Sequence, residues 1–178
     1  LKEKMALFFH DHFSVGAMNN IGESLLLPHV NIFRRHGLGK FRDILIEVSR
    51  DPAMLYWLDN RINGAGSPPK INENYGREII ELYTMGEGPW YTEHDVEEAS
   101  KCLAGWSLSA FNKYFYNDRY GLAGRGVKTV LGRSIYNRNP ERDGYDLIDC
   151  LLSQTQTSQY LVSKIWSYFV AQRPPASH

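Results

Sequence analysis

The side chains with the clearest chemical potential fall within one predicted helix at residues 72–85. Asn74, Glu78 and Glu81 follow one another at spacings of four and three residues, which places them on one stripe of an α-helix. Arg77 lies beside this stripe. Two neighbouring carboxylates can transfer protons or bind a divalent cation. The alternative, which we favour, is a structural stripe that is either solvated or engaged in ion pairs.

Basic and imidazole groups elsewhere supply the expected partners of that stripe. Arg34 and Arg35 are adjacent near a predicted helix end, where they could bind an anion or clamp a carboxylate. His10 and His12 form an H-x-H pair, but alternate residues of a helix point to nearly opposite sides. We therefore assign no metal ligands, and we expect the stripe to face the interior or a cleft, with Arg34, Arg35 and His12 as partners.

Known catalytic and cofactor motifs do not account for the remaining polar residues. The glycines of residues 121–126 lack the Lys-Ser/Thr that follows a phosphate-binding loop. The acidic loop at 137–149 lacks the glutamate that completes a calcium loop. Cys102 and Cys150 lie among apolar residues and are predicted to be buried free thiols. The sequence identifies no cofactor.

Composition limits the classes of function. The chain has 178 residues with 20 basic and 20 acidic side chains, so its formal net charge is zero. This balance argues against a nucleic-acid partner, although a local basic patch is compatible with it. No apolar run approaches the roughly 20 residues that span a bilayer. Because the chain opens directly on a charged helical pattern, we expect a fragment of a longer chain, with any export signal upstream.

Caps, breakers and apolar spacing predict a mainly α-helical fold of about seven helices. One domain is expected over 1–173, with a disordered tail at 174–178. A small β-hairpin or short strands are expected around 108–132. The predicted helices cover 2–15, 20–36 with a break at Pro28, 40–50, a short helix after Asp51-Pro52, 72–85 ending at Gly86, 92–106 with a Thr92–Asp95 capping box, 145–153 and 156–171.

Five segments of the chain share their order and spacing with one known family. They are Leu7–Phe13, Asn31–Leu58, Asn72–Trp106, Lys128–Gly132 and Gly144–Val170. The most specific string is N-E-N-Y-x-R-E-x-x-E-L-x-T-x-G at residues 72–86. In these segments the chain resembles the bacterial family called domain of unknown function 1800, and the resemblance covers nearly the whole chain.

The resemblance implies a mainly helical protein that is exported to the periplasm or cell envelope. It also implies a genetic neighbourhood with a second family that resembles alkaline phosphatases, which is one possible partner. The family often has a His-Asp pair ahead of its K-T-x-L-G string, whereas this chain has Tyr120-Gly121 in that region. If that His-Asp pair has a function in the family, this chain either lacks the function or performs it with residues at other positions.

Two hypotheses of different classes follow. The first is an extracytoplasmic structural or interaction subunit of an envelope-associated assembly, because no recognised catalytic motif is present and aromatic residues are abundant. A large apolar surface patch would support it. The second is a hydrolase or metal-dependent enzyme that uses Asn74, Glu78 and Glu81 with His12. A pocket that holds these side chains would support it.

Overall fold

The computed structural model describes residues 1–17 and 21–170, and over these ranges the protein is mainly α-helical with two small antiparallel sheets. The predicted fold class is confirmed. The α-helices are α1 Lys2–His12, α2 Glu23–His36, α3 Phe41–Ser49, α4 Pro52–Trp57, α5 Asn74–Ile80, α6 Glu93–Cys102, α7 Asp118–Gly121, α8 Glu141–Leu152 and α9 Thr155–Phe169. The strands are β1 Trp106–Leu108, β2 Tyr114–Tyr116, β3 Lys128–Val130 and β4 Arg133–Ile135.

Local capping chemistry fixes several helix ends as predicted. The Asp51 side chain accepts the amide of Met54 at the start of α4, and Pro52 occupies the first helical position. Thr92 and Asp95 form a reciprocal capping box at the start of α6. Gly86 adopts a positive φ of 75°, a conformation that glycine reaches without strain.

Four predicted boundaries are wrong, and one of them is the start of α8, which lies at Glu141 rather than at residue 145. Helix α2 continues through Pro28, because its buried residues, which include Ile32 and Phe33, pack on the core and offset the one backbone hydrogen bond that proline removes. Helix α6 ends at Cys102 rather than near residue 106. Helix α1 ends at His12 rather than at residue 15. The predicted start at residue 20 and the tail at 174–178 lie outside the described residues.

The predicted β-hairpin is two hairpins. Trp106 pairs with Tyr116 in the first, and Lys128 pairs with Ile135 in the second. Leu131 and Gly132 connect β3 to β4 with φ values of 51° and 76°. Positive φ at both central residues is the geometry that joins two twisted strands tightly.

The core is mostly aliphatic and contains two groups of packed aromatic rings. Phe13 and Phe33 stack with ring centroids 5.9 Å apart, and Trp106 is fully buried against Tyr145 at 5.1 Å. Both cysteines are buried free thiols, as predicted. Within the described residues, no helix is long and apolar enough to cross a membrane.

Candidate functional site

The polar stripe of α5 lies at a partly covered surface. The side chain of Asn74 is exposed, whereas Glu78 and Glu81 are half-buried. Asn74 donates a long hydrogen bond of 3.4 Å to the carbonyl of Leu58. The expectation that all three side chains face the interior or a cleft is therefore wrong for Asn74.

A π-helical turn at Glu81–Met85 continues α5 and changes which residues it buries. The hydroxyl of Thr84 donates to the carbonyl of Ile79 at 2.7 Å. One extra residue per turn rotates the later side chains around the axis, so Tyr83 and Met85 are buried. Leu82, predicted to extend the apolar stripe, is exposed instead.

Arg77 is the cation that the carboxylates share. Its guanidinium binds Glu93 through two hydrogen bonds of 2.6 and 3.1 Å and Glu81 through one of 3.2 Å. Glu73 lies 3.7 Å away. These carboxylates raise the pKa of Arg77, and Glu93 contributes most. The cluster therefore connects α5 to the first turn of α6.

The predicted partners Arg34 and Arg35 lie elsewhere. Arg34 pairs with Glu3 at 3.0 Å and Arg35 with Glu47 at 3.2 Å. All four side chains are more than a third exposed, so these pairs contribute little to stability. The partner assignment is wrong because Arg34 and Arg35 pair with other carboxylates, whereas Arg77, four residues before Glu81, binds Glu81.

Glu78 differs from the other carboxylates of the cluster. Its Oε2 atom is buried and has no hydrogen-bond partner among the described residues. Burial raises the pKa of this carboxyl, and the nearby charge of Glu81 raises it further. A raised pKa brings a carboxyl closer to the range in which it can serve as a general acid.

The raised pKa predicts that replacing Glu78 by glutamine increases stability. In the folded protein the ionised form of Glu78 is disfavoured, so the contribution of this group to stability is most favourable at low pH and falls as pH rises from the unfolded to the folded pKa. Glu78→Gln removes this loss, and at pH 8 we expect its Tm to exceed that of the parent by about 1–3 °C. Thermal unfolding between pH 3 and pH 8 measures the difference, which should vanish at the acidic end.

Glu93→Gln is the matched control. The pKa of Glu93 is lowered, chiefly by its hydrogen bond to Arg77, so its stabilisation is present at neutral pH and is lost as pH falls. The two glutamine variants should therefore shift Tm in opposite directions at pH 8. A lower Tm for Glu78→Gln at pH 8 would show that the ionised carboxylate stabilises the fold.

His12 belongs to the core. Its buried ring bonds through Nε2 to the carbonyl of Tyr83 at 3.0 Å. Burial, with a smaller contribution from Lys164, lowers the pKa of His12 to about 4. The imidazole is therefore neutral at physiological pH, and it makes no hydrogen bond with Glu78 or Glu81. Within the described residues, no group of three or more His, Cys, Asp or Glu side chains could hold a metal ion.

Lys128 and Asp143 form a buried ion pair that the sequence analysis missed. Both side chains are almost completely buried, and Lys128 Nζ donates to Asp143 Oδ2. The same ammonium donates to the carbonyls of Gly124 and Gly126, each at 2.8 Å. Asp143 Oδ1 accepts from the amide of Asn137 at 2.8 Å. The sequence feature that could have indicated this ion pair is the lysine at the start of the K-T-V-L-G string, in a short strand.

A pocket of about 460 Å³ opens beside this ion pair. Its walls come from the segment before β3, the segment after β4 and the start of α8. The lining residues are Arg125, Gly126, Lys128, Tyr136, Asn137, Arg138, Pro140 and Asp143. The site therefore combines a fixed polar floor with two exposed guanidinium groups at its rim.

The fold and these two sites define a compact, mainly helical domain with a carboxylate cluster at one surface and a cationic pocket at another. The chain belongs to the family described as Protein of unknown function (DUF1800), whose model matches residues 1–178. Comparisons with curated proteins and with solved structures found no match.

Proposed function

We propose that this domain is an extracytoplasmic interaction subunit that binds a protein partner through α9. The proposal rests mainly on one observation: beside the apolar stripe that packs on its own domain, α9 carries a second apolar stripe that is partly exposed. The extracytoplasmic location follows from the family resemblance. A helix whose apolar surface is wider than its contact with its own domain is typical of an element that packs against a further partner.

The inner side of α9 packs on the domain. Leu161 and Ile165 lie against the core, and Thr157 is buried. The ring of Tyr168 meets that of Phe8 with centroids 5.4 Å apart. These contacts fix the rotation of the helix about its axis.

Beside this inner side, α9 carries a second stripe of Val162, Trp166 and Phe169 at spacings of four and three residues, and the ring of Phe169 also lies 6.2 Å from that of the buried Phe8. The three side chains of this stripe are 62%, 38% and 37% exposed, respectively. This spacing aligns the three side chains along one stripe of the helix, which is the pattern that packs against a partner helix. Aromatic residues are enriched in protein interfaces, and tryptophan is among the residues most often found at interface hot spots.

Site-specific cross-linking in cells tests this interface. A photo-reactive amino acid at Val162 should yield an adduct with one partner protein, whereas the same probe at Phe111, which is 85% exposed in the β1–β2 turn, should not. Adding Trp166→Glu should reduce the adduct at least about tenfold, since it places a charge in an apolar contact. The adduct should appear in the envelope fraction.

Three outcomes would contradict the proposal. They are equal adducts from both probe positions, an adduct whose mass is twice that of this chain, and an adduct that Trp166→Glu leaves unchanged. The second outcome would assign the stripe to self-association. Circular dichroism of Trp166→Glu must first show an intact fold.

The acid–base chemistry of Glu78 supports an enzyme as the second candidate. Its buried, unpartnered Oε2 and raised pKa are the properties of a general acid. His12 is buried at the Tyr83 carbonyl, so the catalytic set would consist of Glu78 and Glu81. If this hypothesis holds, Glu78→Gln abolishes activity while preserving or raising stability.

A further inference from the structure

The pocket beside the Lys128–Asp143 pair has the charge of an anion-binding site. Its lining contains three cations, Arg125, Lys128 and Arg138, and one carboxylate, Asp143. The lining therefore carries two net positive charges at neutral pH, although the whole chain is neutral. A concave surface of one sign concentrates ligands of the opposite sign.

Hydrogen-bonding capacity remains on the two arginines. Lys128 and Asp143 already satisfy each other and three further groups. In the part of the chain that the structure describes, neither Arg125 nor Arg138 forms an ion pair with a carboxylate. A guanidinium presents several N–H donors in a planar fork that fits phosphate oxygens.

The floor of the pocket holds these arginines on anchored segments. Lys128 binds the carbonyls of Gly124 and Gly126, which flank Arg125 in the chain. Asn137, which precedes Arg138, donates to Asp143 and Asp146, each at 2.8 Å. The buried pair thus connects the segments that carry Arg125 and Arg138 to α8. A site whose hydrogen-bond donors are already positioned loses less conformational entropy when a ligand binds.

We propose that this pocket binds a small phosphate monoester. A phosphate monoester carries up to two negative charges near neutral pH, which matches the charge of the lining. The volume of about 460 Å³ lies in the range of small-molecule sites and leaves room for an organic group beyond the phosphate. The ring of Tyr136 lines the same pocket and supplies an apolar surface for that group.

Isothermal titration with phenyl phosphate tests the proposal. We expect binding with Kd of about 1 mM or tighter, at least tenfold stronger than that of inorganic phosphate, and no binding of phenol. Arg125→Gln and Arg138→Gln should each weaken phenyl phosphate binding about tenfold, because each removes a charge-assisted hydrogen bond. Both side chains are exposed, so these variants should retain the parental Tm.

Arg133→Gln provides the matched control, since Arg133 is exposed on β4 and does not line the pocket. It removes the same charge and should change Kd less than about twofold. Equal weakening by all three variants would reveal a diffuse charge effect and overturn the proposal. So would the absence of heat with phenyl phosphate at about 10 mM, or equally tight binding of benzoate, which would assign the site to carboxylates.

Discussion

Replacing Lys128 by methionine should lower the free energy of unfolding by about 3–5 kcal/mol. The side chain of Lys128 is 1% exposed, and its ammonium pairs with a carboxylate that is equally buried. Methionine fills a similar volume but leaves Asp143 and the carbonyls of Gly124 and Gly126 without their donor. An uncompensated charge in a low-dielectric interior costs several kcal/mol. Urea denaturation followed by circular dichroism measures the loss.

Two further variants isolate the ion pair. Lys101 pairs with Glu97 and Glu98 at a more exposed site, and Glu98 keeps the amide of Thr129 as a donor, so Lys101→Met should cost about 1–2 kcal/mol, less than Lys128→Met. The double variant Lys128→Met/Asp143→Leu removes both charges and should recover part of the loss. If Lys128→Met were no more costly than Lys101→Met, the pair would not stabilise the domain as its burial requires.

The predictions that the structure confirms rest on local signals. The caps at Asp51 and at Thr92 need only a side chain and the backbone amides of the following turn. The stop at Gly86 needs only the conformational freedom of glycine. Such features depend on neighbours within about four residues of the chain, so one sequence suffices to locate them.

The errors within helices arise where packing overrides local preference. A proline predicts a break, but the buried face of α2 keeps that helix continuous through Pro28. A uniform α-helical period places Leu82 on the buried stripe, but the π turn buries Tyr83 instead. Neither outcome follows from spacing along a single chain, because tertiary contacts decide both.

The polar contacts were the hardest features to predict, and the buried ion pair is the clearest case because its members are distant in sequence. Helical spacing identified the carboxylates of the stripe but not their partner. Arg34 and Arg35 were the predicted partners, whereas Arg77 binds both Glu81 and Glu93. Nothing in the sequence pattern indicated a role for Lys128, because its carboxylate partner lies 15 residues further along the chain. A buried ion pair requires knowledge of which segments meet, and periodicity carries no such information.

Replacing Gly76 by alanine should destabilise the protein by about 2–3 kcal/mol, although alanine is normally the better helix former by about 1 kcal/mol. Helices α5 and α6 meet at this glycine. A Cβ at position 76 would lie 1.9 Å from Ser100 Oγ and 2.9 Å from Ser100 Cα. The serine hydroxyl is fixed by a 2.7 Å hydrogen bond to the carbonyl of Val96. Only a separation of the two helices relieves the clash, and it would open the contact that carries the Arg77–Glu93 pair.

Thermal and urea unfolding of Gly76→Ala measure this cost. Gly22→Ala is the control, since a Cβ at Gly22 meets no atom of residues 1–17 or 21–170 within 4 Å, and it should change stability by less than about 1 kcal/mol. The double variant Gly76→Ala/Ser100→Gly removes the opposing side chain and should restore part of the loss, because it leaves room for the new methyl group. If Gly76→Ala were instead as stable as the parent or more stable, α5 and α6 would not approach this closely. The ion pairs of Arg77 between these helices would then have a different geometry.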